Sequence, residues 1–189
     1  ISLHKAYSKV FSMDERPLYK LIHEYPLSGV PPFMTHIFKN NQENQIIVAK
    51  GAPEALMKLC RLTTKEMACI KKAIIETTSE GFRVLGVAKA NFEGKEFPNN
   101  QEDFDFNFIG LVSFYDPPKN KIDKVLQDFY QAGIKVKILT GDYGLTTTSL
   151  AKQIGFIGYE QMITGDELMK LSSKELKIAV KENQIFTRM

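Results

Sequence analysis

The stretch "IIVAKGAPEALMKLC", residues Ile46–Cys60, joins a strand to a helix through one sharp corner. The β-branched residues before Gly51 predict a short strand over Ile46–Ala49, and Pro53 is suited to the first turn of a helix. Lys50 therefore stands at the mouth of a strand-to-helix turn. Because a charge at a solvated strand end is also common, this stretch by itself predicts local structure and leaves its function open.

The composition indicates a globular chain. With 189 residues, of which 43% are hydrophobic, the sequence can form one ordinary domain or two small ones. No segment approaches the roughly 18 consecutive apolar residues of a membrane-spanning helix, and the first thirty residues lack the pattern of a signal peptide. We expect a soluble chain whose membrane connection, if it has one, lies outside these residues.

Charge and cysteine content argue against two classes of function. The net charge of +3 is dispersed and no basic stripe is interleaved with aromatic residues, so no nucleic-acid partner is expected. Cys60 and Cys69 have neither a CxxC spacing nor a nearby histidine cluster, so we expect free thiols and no metal site. The run "ISLHKAYSKVF" at one end and "IFTRM" at the other suggest a piece of a longer polypeptide.

The first half of the sequence predicts mixed α and β structure. A strand is expected at Phe33–Lys39, and a helix over "TKEMACIKKAIIETTSEG" that Gly81 ends. The segments "FRVLGVAKANF" and "FDFNFIGLVSFYD" follow as two further strands. We predict a domain over residues 1–115 with an antiparallel sheet and flanking helices.

The pattern changes at "YDPPKNKI", because two successive prolines cannot continue a strand ladder. We place a domain boundary there, between residues 115 and 116. Helices are expected at Asn120–Ala132, Leu145–Ile154, Asp166–Met169 and Ser172–Glu182, with the strand "KVKILTG" and the short piece "MITG" between them. This alternation predicts a parallel, doubly wound sheet over residues 116–189.

One motif in this second half faces the expected ligand edge of the sheet. The apolar strand Val136–Leu139 ends in Thr140, Gly141 and Asp142, directly before a helix. Ligands of open parallel sheets bind beyond the carboxyl ends of strands, where free N–H groups attract anions. Thr140 and Gly141 are placed to hold a phosphoryl group, and Asp142 to orient them or to contact a magnesium shell. For the tripeptide alone, an ordinary turn with an Asp cap is the simpler explanation.

The order of the motifs is more specific than any one of them. The motifs are, in order, "KGAPEALMKLC", "EGFRVLGVA", "GLVSFYDPPK", "AGIKVKILTGDYGLTTTSLAKQIG", "ITGDEL" and "IFTR". Together they resemble the cytoplasmic part of a P-type ATPase, an ATP-driven cation pump, of the calcium-pump-like branch. The resemblance extends over almost the whole chain from about Tyr25. It implies a nucleotide-binding domain over residues 1–115 and part of a haloacid-dehalogenase-like phosphorylation domain over residues 116–189.

The resemblance also implies an environment for the chain. It would be a cytoplasmic domain of an integral membrane protein, and its partners would be ATP and the remaining phosphorylation, actuator and transmembrane domains of the parent. In the family, a Lys-Gly-Ala motif lies at the adenosine pocket, and Lys50, Gly51 and Ala52 match it. Arg83 matches an arginine that reaches the phosphates of the nucleotide, for which its planar fork of donors is suited.

Two further matches concern the phosphorylation domain. Asp116 and Lys119 match the family's Asp-Pro-Pro-Arg hinge motif, with lysine in place of arginine. Thr140, Gly141 and Asp142 match the motif that holds the transferring phosphoryl group.

The adenine-stacking segment departs from the family pattern. The family carries an aromatic residue within a segment like Glu-Phe-x-x-x-x-Arg-Lys-x-Met-Ser, and this chain has "EYPLSGVPPFMT". Aligned on Met34, the segment has Pro32 at the basic position and Leu27 next to the counted stacking position, and we assign Leu27 to stacking, with Tyr25 and Phe33 as the alternative stacking residues. An aliphatic contact accepts adenine without the attraction of a π surface, so we expect weak ATP binding.

The chain also lacks chemical groups that the family uses. It contains no Asp-Lys-Thr-Gly-Thr segment with the phosphorylated aspartate and no Thr-Gly-Asp-Gly-x-x-Asn-Asp segment for Mg²⁺, and the lysine expected after "IFTR" lies beyond Met189. Phosphoryl transfer needs these groups, so we expect that this chain does not turn over ATP, whereas the full-length parent does so with Mg²⁺.

Two alternatives from other classes remain at this point. The first is a non-enzymatic nucleotide-sensing module. The second is a stand-alone phosphohydrolase of the haloacid dehalogenase kind, which needs an Asp-x-Asp or Asp-x-Thr nucleophile after a strand, and no apolar strand here ends in that way.

Overall fold

The computed structural model describes residues 2–94 and 96–189. The chain forms two compact units, the first of Ile1–Thr63 and Leu85–Val112, the second of Thr64–Val84 and Ser113–Met189. Each unit takes residues from separate parts of the sequence, so the predicted boundary between residues 115 and 116 stays a proposal.

A five-stranded sheet dominates the first unit. Its elements are α1 (Ser2–Val10), a 3₁₀ turn (Arg16–Leu18), β1 (Tyr19–Ser28), β2 (Phe33–Asn40), β3 (Gln45–Gly51), α2 (Pro53–Leu59), β4 (Arg83–Ala90), a second 3₁₀ turn (Gln101–Asp103) and β5 (Phe106–Phe114). The first two residues of β4 and the last two of β5 are assigned to the second unit. The strands lie side by side in chain order, β1-β2-β3-β4-β5, and the first four pair antiparallel. The predicted antiparallel sheet with flanking helices is confirmed.

The two faces of this sheet differ in burial because side chains alternate along each strand. On the core face, α2 packs through Leu56 against a cluster that includes Phe33, Ile37, Ile47 and Ala49. The opposite face, called here the outer face, carries Met34, His36, Phe38, Val48 and Lys50, which are half-buried or exposed. Lys50 therefore projects away from the hydrophobic core.

Sequence patterns did not predict strand β1. It is an edge strand in which Tyr25 is the one buried residue, so the apolar alternation of a half-buried strand is missing. Its pairing with β2 is also irregular between Leu21 and His23 and between Tyr25 and Ser28. Such irregularities shift the side chains relative to a regular period of two and weaken the sequence signal.

The second unit contains a small parallel sheet with helices around it. Its elements are α3 (Thr64–Ser79), α4 (Ile122–Gln131), β6 (Ile138–Leu139), α5 (Gly144–Gln153), β7 (Met162–Thr164), α6 (Gly165–Leu168), α7 (Ser173–Glu182) and β8 (Ile185–Thr187). The strands lie in the order β6-β8-β7, and β8 pairs parallel with both neighbours. The predicted parallel sheet is confirmed.

Several element ends in this unit have a clear local cause. Gly81 has a φ of +86° two residues after Ser79, the last residue of α3, as expected of a glycine that ends a helix. Lys121 has a φ of +66°, so α4 begins at Ile122 and not at Asn120. Strand β6 is shorter than predicted, since its ladder with β8 comprises Ile138 and Leu139. Within the described residues, no helix has the length and apolarity needed to cross a bilayer.

Candidate functional site

Lys50 lies in a row of three side chains that crosses the sheet of the first unit. In the strand register, Lys50 is opposite Met34 of β2 and opposite Val87 of β4. Directly opposed residues project to the same face, so the side chain of Lys50 lies between the half-buried side chains of Met34 and Val87. An exposed cation with apolar neighbours suits a ligand that combines a flat apolar ring with negative charge.

The small residues beside Lys50 have a structural reason. A Cβ at Gly51 would lie 2.4 Å from the Cα of Phe33 and 2.6 Å from the carbonyl oxygen of Pro32. The next residue, Ala52, donates its backbone N–H to that same oxygen at 2.9 Å. Both residues therefore let the β3–α2 corner pack closely on the turn before β2. Their predicted contact with a nucleotide stays a prediction.

The three candidate stacking residues differ in where their side chains lie. Tyr25 is 8% exposed, meets Phe104 edge-on and donates its hydroxyl to the carbonyl oxygen of Pro98. Burial, with a smaller contribution from the negative charge of Asp103, raises the pKa of Tyr25. Phe33 is likewise buried in the core. Leu27, in contrast, is 62% exposed.

Sequence reasoning missed an apolar cavity on the outer face. Its volume is about 290 Å³, and its lining includes Tyr7 and Tyr19 together with Phe38, Ile46 and Val48 of the sheet. The last three belong to the same alternating pattern as Met34 and Lys50, and that alternation is the signal that could have indicated it. The cavity shows that aromatic side chains are available on this face, although none stands at the expected stacking position.

Thr140 of the second unit is fixed at the carboxyl end of β6. Its backbone N–H donates to Phe186 at 2.9 Å, and its carbonyl oxygen accepts from Met189 at 3.2 Å. Its hydroxyl oxygen accepts the backbone N–H of Asp142 at 3.1 Å. Helix α5 starts at Gly144, and its N-cap residue provides no side-chain hydrogen bond. Free backbone donors of a helix start attract anions.

Two of the predicted site residues meet in this unit. The Nη2 atom of Arg83 donates to Oδ1 of Asp142 at 2.7 Å, although the two are 59 residues apart in sequence. Their side chains are 55% and 37% exposed, so solvent screens the pair. Asp116 and Lys119 are exposed in the segment that precedes α4.

The structure thus divides the predicted residues into two groups, one in each unit. Those of the first unit are Tyr25, Leu27, Met34, Lys50, Gly51 and Ala52, and those of the second are Arg83, Asp116, Lys119, Thr140, Gly141 and Asp142. The local strand-to-helix pattern predicted Thr140, Gly141 and Asp142 as site residues. Arg83, Asp116 and Lys119 were predicted from the order of the motifs along the chain.

Comparisons with known proteins agree with these features. Residues 1–121 match the family model described as P-type ATPase, cytoplasmic domain N. The sodium/potassium exporting P-type ATPase 1 of Saccharomyces cerevisiae is 29% identical over 206 residues, which cover 89% of this chain and 19% of that protein. The calcium-transporting ATPase of Bacillus subtilis is 27% identical over 183 residues, 90% of this chain and 21% of that protein.

A human relative is named for the same two ions as the yeast one. The sodium/potassium-transporting ATPase subunit alpha-4 of Homo sapiens is 26% identical over 198 residues, 94% of this chain and 19% of that protein. This chain therefore spans about a fifth of the length of these relatives. Since both sodium/potassium and calcium transporters match, the calcium-pump-like branch stays a prediction.

Proposed function

This chain belongs to the P-type ATPase family, as a cytoplasmic N domain, and from that premise we propose that it binds ATP beside Lys50. The observation that carries the proposal is the row of Met34, Lys50 and Val87 on the outer face of the sheet. The ammonium group supplies attraction for the negative nucleotide, and the two apolar side chains supply contact area for the adenosine part.

The proposed affinity is low. A ring stacked on adenine adds attraction beyond the buried area. Tyr25 and Phe33 direct their rings into the core, and the exposed candidate at this position is the aliphatic Leu27. The basic family position is occupied by Pro32, which brings no charge to the nucleotide. We expect a dissociation constant of about 1 mM, which corresponds to roughly 4 kcal/mol of binding free energy.

We further propose a role for the second unit in the parent protein. There Arg83 contacts the phosphates of the nucleotide, and Thr140 and Gly141 hold the transferring phosphoryl group through hydroxyl and backbone donors. Asp116 and Lys119 serve the hinge. Mg²⁺ bound with ATP supplies positive charge that neutralises the developing charge on the phosphoryl oxygens. The fragment itself does not hydrolyse ATP, because its sequence lacks the aspartate that accepts the phosphoryl group.

The parent protein is proposed to couple ATP hydrolysis to cation transport across a membrane. Its remaining phosphorylation, actuator and transmembrane domains are the partners of this chain. The support for this is the family match together with the short share of each relative that the chain covers.

An NMR or calorimetric titration of the 189-residue chain with ATP, with and without Mg²⁺, tests the proposal. The decisive variant is Lys50→Ala, and Lys58→Ala is the matched control, since it removes the same charge from an exposed position on α2. We expect saturable binding that Lys50→Ala weakens at least about fivefold, or roughly 1 kcal/mol. Lys58→Ala should bind like the unchanged chain.

Two results would overturn the proposal. One is the absence of saturable binding up to several times the expected dissociation constant. The other is an equal loss in both lysine variants, because that would indicate attraction by net charge alone. Release of phosphate from ATP by the purified chain would contradict the proposed lack of hydrolysis.

A further inference from the structure

A long connection between β4 and β5 runs along the core of the first unit. This segment, called here the strap, comprises residues 91–94 and 96–105, and its regular structure is limited to the 3₁₀ turn Gln101–Asp103. Phe104 of the strap is part of the buried core, and Phe92 and Phe97 pack against that core. Loops of this length without secondary structure are often functional.

The side-chain amide of Gln101, in the strap, is buried at the tip of the β1–β2 hairpin, where β1 ends at Ser28 and β2 begins at Phe33. Its Nε2 atom donates to the hydroxyl of Ser28 at 2.8 Å and to the carbonyl oxygen of Phe33 at 3.1 Å. Its Oε1 atom accepts the hydroxyl of Thr35 at 2.9 Å. Gln101 is 2% exposed and Thr35 is fully buried. The carbonyl of Phe33 can only accept, so this network fixes the orientation of the amide.

The residues that Gln101 holds alternate with residues of the proposed nucleotide site. Met34 lies between Phe33 and Thr35 and projects to the outer face, beside Lys50. Leu27 directly precedes Ser28 and is exposed. One buried side chain therefore holds both strands of the hairpin from the core side, next to the positions whose side chains would meet the nucleotide.

The same hydrogen bonds reach the corner that carries Lys50. Phe33 pairs with Gly51, and its Cα occupies the space where a Cβ of Gly51 would lie. The neighbouring Pro32 accepts the backbone N–H of Ala52. A displacement of Phe33 would therefore move the backbone of Gly51 and Ala52, directly after Lys50.

We infer that Gln101 is a positioning residue for the nucleotide site, because its amide holds the hairpin tip and the Lys50 corner in one arrangement. This inference rests on the proposed ATP site. Without the amide, the hairpin tip adopts further arrangements, and the apparent dissociation constant rises by the inverse of the competent fraction. A competent fraction of about one tenth corresponds to a loss of about tenfold in affinity.

The test compares two variants of the 189-residue chain. Gln101→Met keeps the length of the side chain and removes its hydrogen bonds. Phe104→Leu is the control, since it reduces core packing beside Tyr25 of the same hairpin and removes no side-chain hydrogen bond, so it tests whether lost packing alone weakens binding. ATP titrations are run where both variants are folded, and stability is measured by urea unfolding. Amide chemical shifts of Met34 and Lys50 report the arrangement of the site without ligand.

We expect Gln101→Met to weaken ATP binding about tenfold and to shift the amide signals of Met34 and Lys50. Phe104→Leu should lose stability and keep the affinity of the unchanged chain. If Gln101→Met does not fold, Ser28→Ala removes one of the same bonds at an exposed position. It should weaken binding about threefold, in line with the modest net value of one hydrogen bond.

The outcomes separate this inference from the function on which it rests. Unchanged affinity in Gln101→Met, or in Ser28→Ala where that variant is used, overturns the positioning role while the ATP site stands. Equal losses of affinity in Phe104→Leu and Gln101→Met also overturn it, because loss of core packing alone would then be enough to weaken ATP binding. If the unchanged chain binds no ATP, the proposed function fails and the inference fails with it.

Discussion

Replacing Gly51 with alanine places a methyl group where the structure has backbone. The new Cβ would lie 2.4 Å from both the Cα and the Cβ of Phe33 and 2.6 Å from the carbonyl oxygen of Pro32. These atoms belong to the neighbouring strand and to the turn before it, so no side chain can rotate away to make room. Strands β2 and β3 must separate at this point instead.

The structure gives the scale of the effect. Ordinary contact begins at 3.4 Å, so the strands must separate by about 1 Å to relieve the contact at 2.4 Å. Overpacking of this kind costs about 1–3 kcal/mol, and the rigid surroundings favour the upper end. Alanine also lowers the conformational entropy of the unfolded chain, which stabilises the folded state by about 0.4–1 kcal/mol. We expect a net loss of about 2 kcal/mol in the free energy of unfolding.

Urea unfolding followed by NMR measures this loss in the first unit. The amide signals of Thr35 and Ile37 report the core face there, whereas circular dichroism would sum both units. With a slope of about 2 kcal/mol per molar urea, the midpoint should fall by about 1 M. Gly110→Ala is the control, because a Cβ at Gly110 has no atom within 4 Å. Equal midpoints for the Gly51→Ala and Gly110→Ala variants would refute the packing argument.

Three further outcomes are expected in the second unit and at the thiols. Asp142→Asn removes the exposed partner of Arg83, so it should lower the free energy of unfolding by less than about 1 kcal/mol. The same change removes a negative charge beside Arg83, so calorimetry should show tighter binding of tripolyphosphate. Weaker binding would contradict this prediction. Hydrogen bonds from the N-cap serine of α7 hold the pKa of Glu175 below its ordinary 4.5. The ionised carboxylate therefore stabilises the start of α7 above pH 4.5, and this stabilisation is lost as the pH falls through the lowered pKa. Helical NMR shifts of α7 from pH 6 to pH 3 should show this loss, and the Glu175→Gln variant should not. Burial raises the pKa of Cys60 to about 11, whereas Cys69 is exposed. A disulfide reagent at about pH 8 should therefore label Cys69 rapidly and Cys60 slowly. Equally fast labelling of both thiols would refute this prediction.

Local signals in the sequence were sufficient for most strands of the five-stranded sheet, but they did not predict β8, the central strand of the parallel sheet. The β-branched run before Gly51 and the proline at position 53 specify a strand and a helix start without help from distant residues. Gly81 similarly ends α3 because its positive φ is accessible to glycine at little cost. These features depend on the preferences of a few adjacent residues, and for that reason patterns could predict them.

Features that depend on distant residues could not be predicted in this way. Gln101 belongs to the polar run "PNNQEDF", which gives no sign that one of its amides is buried beneath a hairpin 66 to 73 residues away. The contact between Arg83 and Asp142 likewise joins parts of the chain with no common period. Edge strand β1 lacked a signal because it has little core to face.

The register of the hairpin accounts for the expected low affinity of the nucleotide site. Tyr25 pairs with Thr35, and Phe33 pairs with Gly51, so both aromatic side chains belong to the core face. A shift of one residue would bring such rings to the outer face, but it would also turn Met34 into the core and separate Gln101 from its partners. The aromatic residues that could have stacked on adenine instead stabilise the first unit. At the proposed site we therefore expect nucleotide affinity to depend on the charge of Lys50 and on how firmly the strap holds the residues around it.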